Sequence, residues 1–451
     1  MANFHVYYVG TEDEVAHHAA PLHSHIDVRI ACPEEVTRLA KPNDLAIFYS
    51  EHFHRFRKAW LQLHERGCHT IYAIDGILEW RNAWENRHDE PACPWTMRPV
   101  LSDKVACIGS SQARILDGWG NRGKTEVVGI PRFDAVGDSE QLPRRDANRP
   151  FRFLVTTAKW PAFTDQQRRV ITQSLCDLRD FFAENTRIAG RAVEVVWRVA
   201  GGLDKVLGVE NHLSDITGRE INELLEQVDA VITTPSTVML EAMLHDLPVT
   251  LLDYTNSPEY VHAAWTIRAR EHMQPVIHQL IEPPQRRLQL QKSLLHDSLQ
   301  LNESAAARLA QLAQEMIRIG YDCQSAGRPV EFPAQILPPQ QESRRESNVC
   351  QAATSLKCLE GKDSHEYAAV AAEALRWFDR LHEHIDELEC ELSKAAEGFE
   401  QIASHPVLAP LLKVRKAALG MGGRIVDVLA AGRKMKKAMP PEMKSDVQIK
   451  T

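Results

Sequence analysis

The feature that most constrains the fold is a recurring alternation of short apolar segments with helical stretches. Six such segments precede residue 135, and helix-like stretches such as 51–66 and 111–118 lie between them. Continuous apolar strands between helices are typical of a parallel sheet covered on both faces. The predicted strands are Phe4–Val9, Ile26–Ala31, Leu45–Tyr49, Thr70–Ile74, Val105–Ile108 and Glu126–Val128.

The same alternation restarts after a polar, proline-containing segment at residues 138–150. With 451 residues, 44% of them hydrophobic, the chain is long enough to bury two ordinary cores. We therefore predict an α/β fold of two Rossmann-like domains, residues 1–137 and 151–325, joined by the linker 138–150 and facing a cleft. The predicted elements of the second domain are strands Phe153–Thr157, Val193–Val199, Ala230–Thr233 and Val249–Leu252, helices 165–185, 218–227 and 236–245, and a helical period over 285–319.

The C-terminal third has a different character. Residues 326–363 are polar and proline-containing, which predicts a flexible linker. Apolar residues between 367 and 402 then alternate in steps of four and three, which predicts a coiled-coil or hairpin helix over 364–404 and a route to homo-oligomers. Within the amphipathic tail 405–451, residues 411–437 hold eight basic side chains and one acidic one, as in segments that contact anionic membranes. Docking on the protein's own acidic surface is the alternative for this tail.

Composition narrows the classes of partner and compartment. The net charge of −8 argues against nucleic acid as a partner. The nine cysteines form no CxxC pair, so we expect neither a zinc site nor a disulfide framework, and a cytoplasmic protein. The first ten residues lack the pattern of a signal peptide, and no apolar run is long enough to span a membrane. The six histidines between residues 17 and 54 lack acidic partners at ligand spacing, so we interpret them as surface residues and predict no metal.

The most informative motif is Val228–Tyr254, in which a predicted buried strand runs into the hydroxyl-rich loop TTPST and a helix. Backbone N–H groups and hydroxyls at such a helix start suit phosphate oxygens. The carboxylate of Glu241, one turn into the helix, is placed to accept hydrogen bonds from ribose hydroxyls. An ordinary helix cap with a surface acid is the alternative interpretation.

This motif resembles the nucleotide-binding segment of the GT-B glycosyltransferases, especially bacterial capsule and teichoic-acid polymer enzymes of the CDP-glycerol glycerophosphotransferase type. The resemblance implies that Ser236 and Thr237 contact the diphosphate of a donor and that Glu241 contacts its ribose. A second segment, VVGIPRFD at Val127–Asp134, resembles the end of the N-terminal domain in these enzymes. There, Arg132 would direct a positive charge towards the cleft.

Two further basic residues follow predicted strands of the second domain. Lys159 and Arg198 are candidates to hold the leaving diphosphate. At the position of Arg198, similar enzymes carry a basic residue that is followed by a His-Pro pair. In this chain, Val199-Ala200-Gly201-Gly202 follows instead. That departure favours sugar-nucleotide donors over glycerol phosphate.

The acceptor side is predicted in the first domain, at residues 74–86. Asp75 is the first candidate for the base that deprotonates the acceptor hydroxyl, and Glu79 is the second. Trp80 and Trp84 offer apolar faces suited to sugar rings. A turn aspartate with core tryptophans is the alternative.

The resulting hypothesis is a GT-B glycosyltransferase that transfers a sugar from a nucleotide-activated donor to a surface polysaccharide or glycolipid acceptor. It needs no cofactor or metal beyond the donor, and its tail would place it on the inner face of the membrane. A sugar-nucleotide 2-epimerase and a non-catalytic nucleotide-sugar-binding or scaffold protein are the alternatives.

Overall fold

The computed structural model describes residues 4–85, 97–136, 149–209 and 221–338. The predicted coiled coil 364–404, the basic tail 405–451 and most of the linker 138–150 lie outside the described residues. Within the described part, two separate six-stranded sheets confirm the two predicted Rossmann-like domains.

The first sheet is entirely parallel, with strand order β2-β1-β3-β4-β5-β6. Its strands are β1 (Val6–Val9), β2 (Val28–Ala31), β3 (Leu45–Phe48), β4 (His69–Ala73), β5 (Lys104–Cys107) and β6 (Thr125–Val127). Its helices are α1 (Glu12–Ala19), α2 (Pro33–Leu39), α3 (His54–Glu65) and α4 (Ser110–Leu116). Every residue of β1, β3, β4 and β5 is buried, as expected for strands of a parallel sheet that is covered on both faces.

The second sheet has the order β12-β11-β10-β7-β9-β8, and only the β8–β9 pair is antiparallel. Its strands are β7 (Phe151–Thr156), β8 (Arg187–Ile188), β9 (Arg191–Arg198), β10 (Ala230–Thr233), β11 (Val249–Leu252) and β12 (Trp265–Ile267). The helices after β7 are α5 (Asp165–Glu184), α6 (Leu203–Leu207), α7 (Ile221–Leu225), α8 (Val238–Leu244), α9 (Met273–Ile281), α10 (Gln285–Ser298) and α11 (Ala305–Ser325).

Short turns of 3-10 or π type complete the described helical elements. They cover Ala20–Ser24, Arg81–Glu85, Asp117–Asn121, Pro131–Phe133 and Arg270–His272. The described part of the chain contains no helix with the length and apolar character needed to cross a membrane.

The structure differs from the sequence prediction at the end of the second domain. The helical period over 285–319 is two helices, and the second, α11, packs on the first domain. Its buried residues Leu309, Leu312 and Met316 share one core cluster with β1 and β3. The chain therefore returns to the first domain after completing the second sheet.

Part of the segment 326–338 packs on the first domain, although the sequence assigned it to a flexible linker. The backbone N–H groups of Ile336 and Leu337 donate to the Glu126 carboxylate at 2.7 and 3.2 Å, and Leu337 is buried. Glu126 also pairs with the buried Lys104 ammonium at 3.0 Å. These contacts make the segment a strap along the first domain rather than a free linker.

Candidate functional site

Each sheet has one point where the strand order reverses. In the first sheet it lies between β1 and β3, and in the second between β7 and β10. Ligands of open α/β sheets bind in the crevice beyond the carboxyl ends of the strands at such points. The loops at these ends therefore locate the candidate site.

In the second domain, hydroxyl groups tie the loops at the reversal point together. Thr157 Oγ1 accepts from the backbone N–H of Ala200 at 2.9 Å, and Thr234 Oγ1 accepts from that of Ala158 at 3.3 Å. These bonds connect the loops after β7, β9 and β10. They fix the floor of the crevice.

The predicted phosphate residues follow β10 directly. Ser236 Oγ accepts from the N–H of Val238 at 3.4 Å, whereas Thr237 Oγ1 accepts from the N–H of Ile77, in the first domain, at 3.2 Å. A Cβ on Gly76 would lie 2.6 Å from Thr237 Oγ1, so this close approach requires glycine. Thr237 is therefore a contact between the domains, and α8 behind it has only seven residues.

Arg132 and Glu241, which the sequence assigned to different parts of a donor, form an ion pair across the cleft. Arg132 Nη1 lies 2.5 Å from Glu241 Oε1. The Glu241 side chain is 4% exposed, and its Oε2 is buried without a hydrogen-bond partner. One carboxylate oxygen thus anchors the first domain, and the other has no hydrogen-bond partner among the described residues.

Asp75 follows β4 and is held by a histidine that the sequence analysis interpreted as a surface residue. His18, on α1, is buried, and its Nε2 lies 3.2 Å from Asp75 Oδ2. The imidazole is stacked between the rings of Tyr8 and Tyr49, each 6.2 Å away between centroids. The surface interpretation is wrong for His18, because α1 places it over the carboxyl ends of β1 and β3.

Burial lowers the pKa of His18 to about 4, and the opposing effect of Asp75 is smaller. His18 is therefore neutral at pH 7, and a neutral imidazole beside a carboxylate donates its N–H. The Asp75 side chain is half exposed.

His17 and Lys159 are two further ionisable residues near Asp75 and His18. The His17 ring lies 3.8 Å from the His18 ring between centroids. Burial lowers the pKa of His17, Asp75 opposes this change, and Arg132 and Lys159 add to it. Lys159, from the second domain, is therefore within electrostatic reach of the group on the first domain.

The remaining predicted residues take structural partners. Glu79 forms an ion pair with the fully buried Arg81, whose Nη1 donates to the carbonyl of Pro161 at 3.3 Å. Trp80 and Trp84 stack at 5.1 Å, and Trp84 Nε1 donates to the hydroxyl of Tyr260 at 3.0 Å. These contacts join the two domains, as the alternative of packed tryptophans anticipated.

Arg198 ends β9 and is exposed. Among the residues described, the structure shows no contact between Arg198 and the other predicted site residues. The same part of the chain contains no group of three or more His, Cys, Asp and Glu side chains arranged to hold a metal ion.

No protein-family model matches the chain, and no curated protein matches it significantly. Among solved structures, a co-structure of S. aureus MnaA with UDP is similar, at 12% identity and a TM-score of 0.48, over 73% of this chain and 100% of that one. UDP-GlcNAc 2-epimerase of Methanocaldococcus jannaschii, in complex with UDP-GlcNAc and UDP, is 12% identical with a TM-score of 0.45, over 69% and 99%.

A variant of the wall teichoic acid polymerase TagF is also similar, at 11% identity and a TM-score of 0.43, over 71% of this chain and 90% of that one. The sequence motifs predicted a resemblance to GT-B enzymes of the teichoic-acid type. The structural comparisons confirm that resemblance. At identities and TM-scores this low, the activities of those proteins do not transfer to this chain.

Proposed function

We propose that this protein is a GT-B-type glycosyltransferase, which transfers a sugar from a nucleotide-activated donor to a carbohydrate or lipid-linked acceptor of a surface polysaccharide or glycolipid. The observation that carries the proposal is the position of the half-exposed Asp75 carboxylate beside the loop that follows β10. The next two residues, Gly76 and Ile77, contact Thr237 in that loop. The proposed base and the proposed donor loop are therefore adjacent at the carboxyl ends of the two sheets.

The proposed reaction is a direct displacement at the anomeric carbon of the donor sugar. Asp75 takes the proton of the acceptor hydroxyl, the acceptor oxygen forms a bond to that carbon, and the bond to the diphosphate breaks. The electron pair leaves with the nucleoside diphosphate. Lys159 and Arg132 supply positive charge where this leaving group develops negative charge, and Arg198 is the third candidate.

His18 is a positioning residue in this scheme. Its N–H holds one oxygen of Asp75 at 3.2 Å, which leaves the other oxygen for the acceptor. Because the imidazole is neutral, it orients the carboxylate through a hydrogen bond and adds no charge.

The donor is proposed to lie over the loops after β7 and β10. The Ser236 hydroxyl would contact a phosphate oxygen, and the free Oε2 of Glu241 would accept from a ribose hydroxyl. Glu241 Oε2 supports this assignment, because a buried carboxylate oxygen without a partner is costly unless a ligand donates to it.

Thermal-shift measurements with UDP-, CDP-, GDP- and CMP-linked sugars test the proposal. A donor at about 100 times its dissociation constant adds about 2.7 kcal/mol to the free energy of unfolding. We expect the donors that carry one particular nucleobase to stabilise the wild type. Ser236→Ala should reduce that stabilisation. Ser293→Ala, an exposed serine on α10, is the matched control.

Product analysis with the stabilising donor then separates the two enzyme classes. In the presence of an acceptor, a transferase releases the nucleoside diphosphate, or CMP from a CMP-linked donor, whereas a 2-epimerase returns the epimeric sugar nucleotide. If none of the donors stabilised the protein, both the transferase and the 2-epimerase assignments would be contradicted.

A further inference from the structure

Trp160, in the loop that follows β7, is the most exposed large apolar side chain in the described part of the chain, at 69%. Trp60, Trp119 and Trp265 are buried instead. Single exposed apolar side chains are common on protein surfaces, so the exposure of Trp160 has to be considered together with its position.

The backbone is fixed on both sides of Trp160. Before it, the N–H of Ala158 donates to Thr234 Oγ1 at 3.3 Å. After it, Pro161 is buried, and its carbonyl accepts from Arg81 Nη1 at 3.3 Å. The exposed indole is therefore held outward by an anchored loop.

Trp160 also lies at the edge of the cleft, because both of its neighbours interact with the first domain. The carbonyl of Pro161 bonds to Arg81 of that domain. On the other side, the charge of Lys159 contributes to the lowered pKa of His17 on α1, on which Asp75 also acts. The indole is thus placed between two residues that face the domain of the proposed base.

The position of Trp160 within the second sheet separates it from the proposed ribose contact. A Cβ on Gly201 would lie 3.1 Å from Pro161 Cδ, so the residue after Trp160 packs against the loop that follows β9. Glu241 lies on α8, which follows β10. Because β9 and β10 are on opposite sides of β7, the nucleobase of a donor bound through Glu241 is not the expected partner of this indole.

The chemistry of an exposed indole suits a sugar ring. A pyranose has a face of C–H groups, and stacking it on the indole removes apolar surface of both partners from water. An open-chain polyol has no such continuous face, and it loses more internal rotation when it is held in place. The anchored Trp160 therefore discriminates between cyclic and open-chain alcohols.

We infer that Trp160 is a stacking surface for a pyranose ring of the acceptor. Naming this ring as the acceptor's rests on the proposed function, because the indole borders the cleft of the proposed base. The inference assigns a cyclic sugar to this position and excludes an open-chain polyol such as glycerol.

Quenching of tryptophan fluorescence by acrylamide tests the inference on the full chain without a donor. The probes are glucose, galactose and N-acetylglucosamine at millimolar concentration, and glucitol is the open-chain counterpart of glucose. We expect at least one pyranose to protect the wild type from quenching and glucitol to give no protection. In Trp160→Phe the protection should disappear, since the fluorophore that the sugar covers is gone.

Saturation-transfer NMR with the same sugars measures binding in the variants. Trp160→Phe keeps an aromatic ring and should bind the pyranose nearly as the wild type does. Trp160→Ala should weaken binding by about tenfold, the effect of losing one aromatic contact. Tyr321→Ala is the matched control, because Tyr321 is 45% exposed and contacts Phe4, before the first residue of β1 and thus at the opposite end of that sheet.

Equal protection by glucose and glucitol, protection by none of the sugars, or equal binding by wild type and Trp160→Ala would overturn the inference. Protection by anionic vesicles and by no sugar would also overturn it and would assign the indole to a membrane contact.

Nucleotides separate this inference from the proposed function. If UMP, CMP or GMP protected Trp160 and the sugars did not, the indole would belong to the donor site. The inference would then be wrong, and the proposed function would remain. If no sugar nucleotide stabilised the wild type but glucose protected Trp160, the pyranose site would remain without the transferase.

Discussion

At the scale of single residues, the contact between His18 and Asp75 is the central feature of the proposed site. Burial beside Tyr8 and Tyr49 keeps His18 neutral. A neutral imidazole supplies a hydrogen bond to Asp75 and no charge. The pair therefore fixes the orientation of the Asp75 carboxylate.

Asp75→Asn tests the proposed base. The substitution keeps the size of the side chain and its contact with His18 but removes the proton acceptor. We expect turnover to fall by about 10²–10⁴-fold, the usual contribution of general base catalysis, with the donor thermal shift unchanged. Glu79→Gln is the comparison, because Glu79 is paired with Arg81. Full activity of Asp75→Asn, or loss of activity in Glu79→Gln alone, would reject this assignment.

The pH dependence of stability tests the neutral state of His18. Its pKa falls from 6.5 to about 4 on folding, so the unfolded chain binds a proton that the folded chain does not bind between these values. The contribution of His18 is complete above pH 6.5 and is lost as the pH falls towards 4, by up to about 3 kcal/mol.

His18→Gln retains an N–H donor and does not titrate, so its unfolding free energy should fall less between pH 6.5 and 4 than that of the wild type. Urea denaturation at several pH values measures the difference. His52 has the same depressed pKa of about 4 and remains in both proteins. If the two unfolding free energies changed in parallel with pH, folding would not lower the pKa of His18, and the prediction would be wrong.

The sequence identified several residues of the cleft because they follow predicted strands. Asp75, Arg132 and Lys159 lie in the loops after β4, β6 and β7, and Glu241 lies on α8, the helix that follows β10. His18 was missed because it lies on a helix and its partner is distant in the chain. Trp160 follows a correctly predicted strand, but nothing in the sequence around it indicates that its side chain is exposed.

At the scale of elements, α11 determines how the first domain is completed. Its small residues allow close packing on the sheet, and Gly320 lies directly over His69 on β4. A Cβ on Gly320 would lie 1.9 Å from His69 Nε2. The ring of Phe332, from the strap, covers the same imidazole at 5.3 Å.

Gly320→Ala should destabilise the protein although alanine favours helices. The clash with the enclosed imidazole costs about 1–3 kcal/mol, which exceeds the gain in helix propensity of about 1 kcal/mol. In a His69→Ala background the clash is absent, so the same substitution should become stabilising. A double-mutant cycle by urea denaturation measures this change of sign. The same cost in both backgrounds would show that α11 does not pack on His69.

Sequence patterns predicted α11 as a helix but not the domain it joins. Its apolar periodicity indicates one buried face, and either sheet could cover that face. The choice depends on surface shape, here the space that Gly320 leaves for His69. In the same way, the prolines of 326–338 indicate an irregular chain but not its contacts with Glu126.

At the scale of the whole molecule, Arg132–Glu241 is an ion pair that joins the two domains at the proposed donor site. The pair has a matched counterpart within the second domain, Arg149–Asp229. In both pairs the arginine side chain is 27% exposed, and the acidic partner is 4% exposed in the first and 2% in the second. Comparing variants of the two ion pairs distinguishes two effects. One is the loss of stability when a buried carboxylate loses its cation, and the other is a role of Arg132–Glu241 in donor binding.

Arg132→Met and Arg149→Met should each lower the free energy of unfolding by about 1–3 kcal/mol, because each leaves a buried carboxylate without its cation. Adding Glu241→Gln to Arg132→Met should recover part of this loss, since the amide carries no charge to bury. Donor affinity should change only in the variants at Arg132 and Glu241, because this pair joins the domains beside the donor. Urea denaturation and donor thermal shifts measure the two effects separately. If Arg149→Met weakened donor binding as much as Arg132→Met, the effect would come from general destabilisation, and the pair across the cleft would have no part in holding the donor.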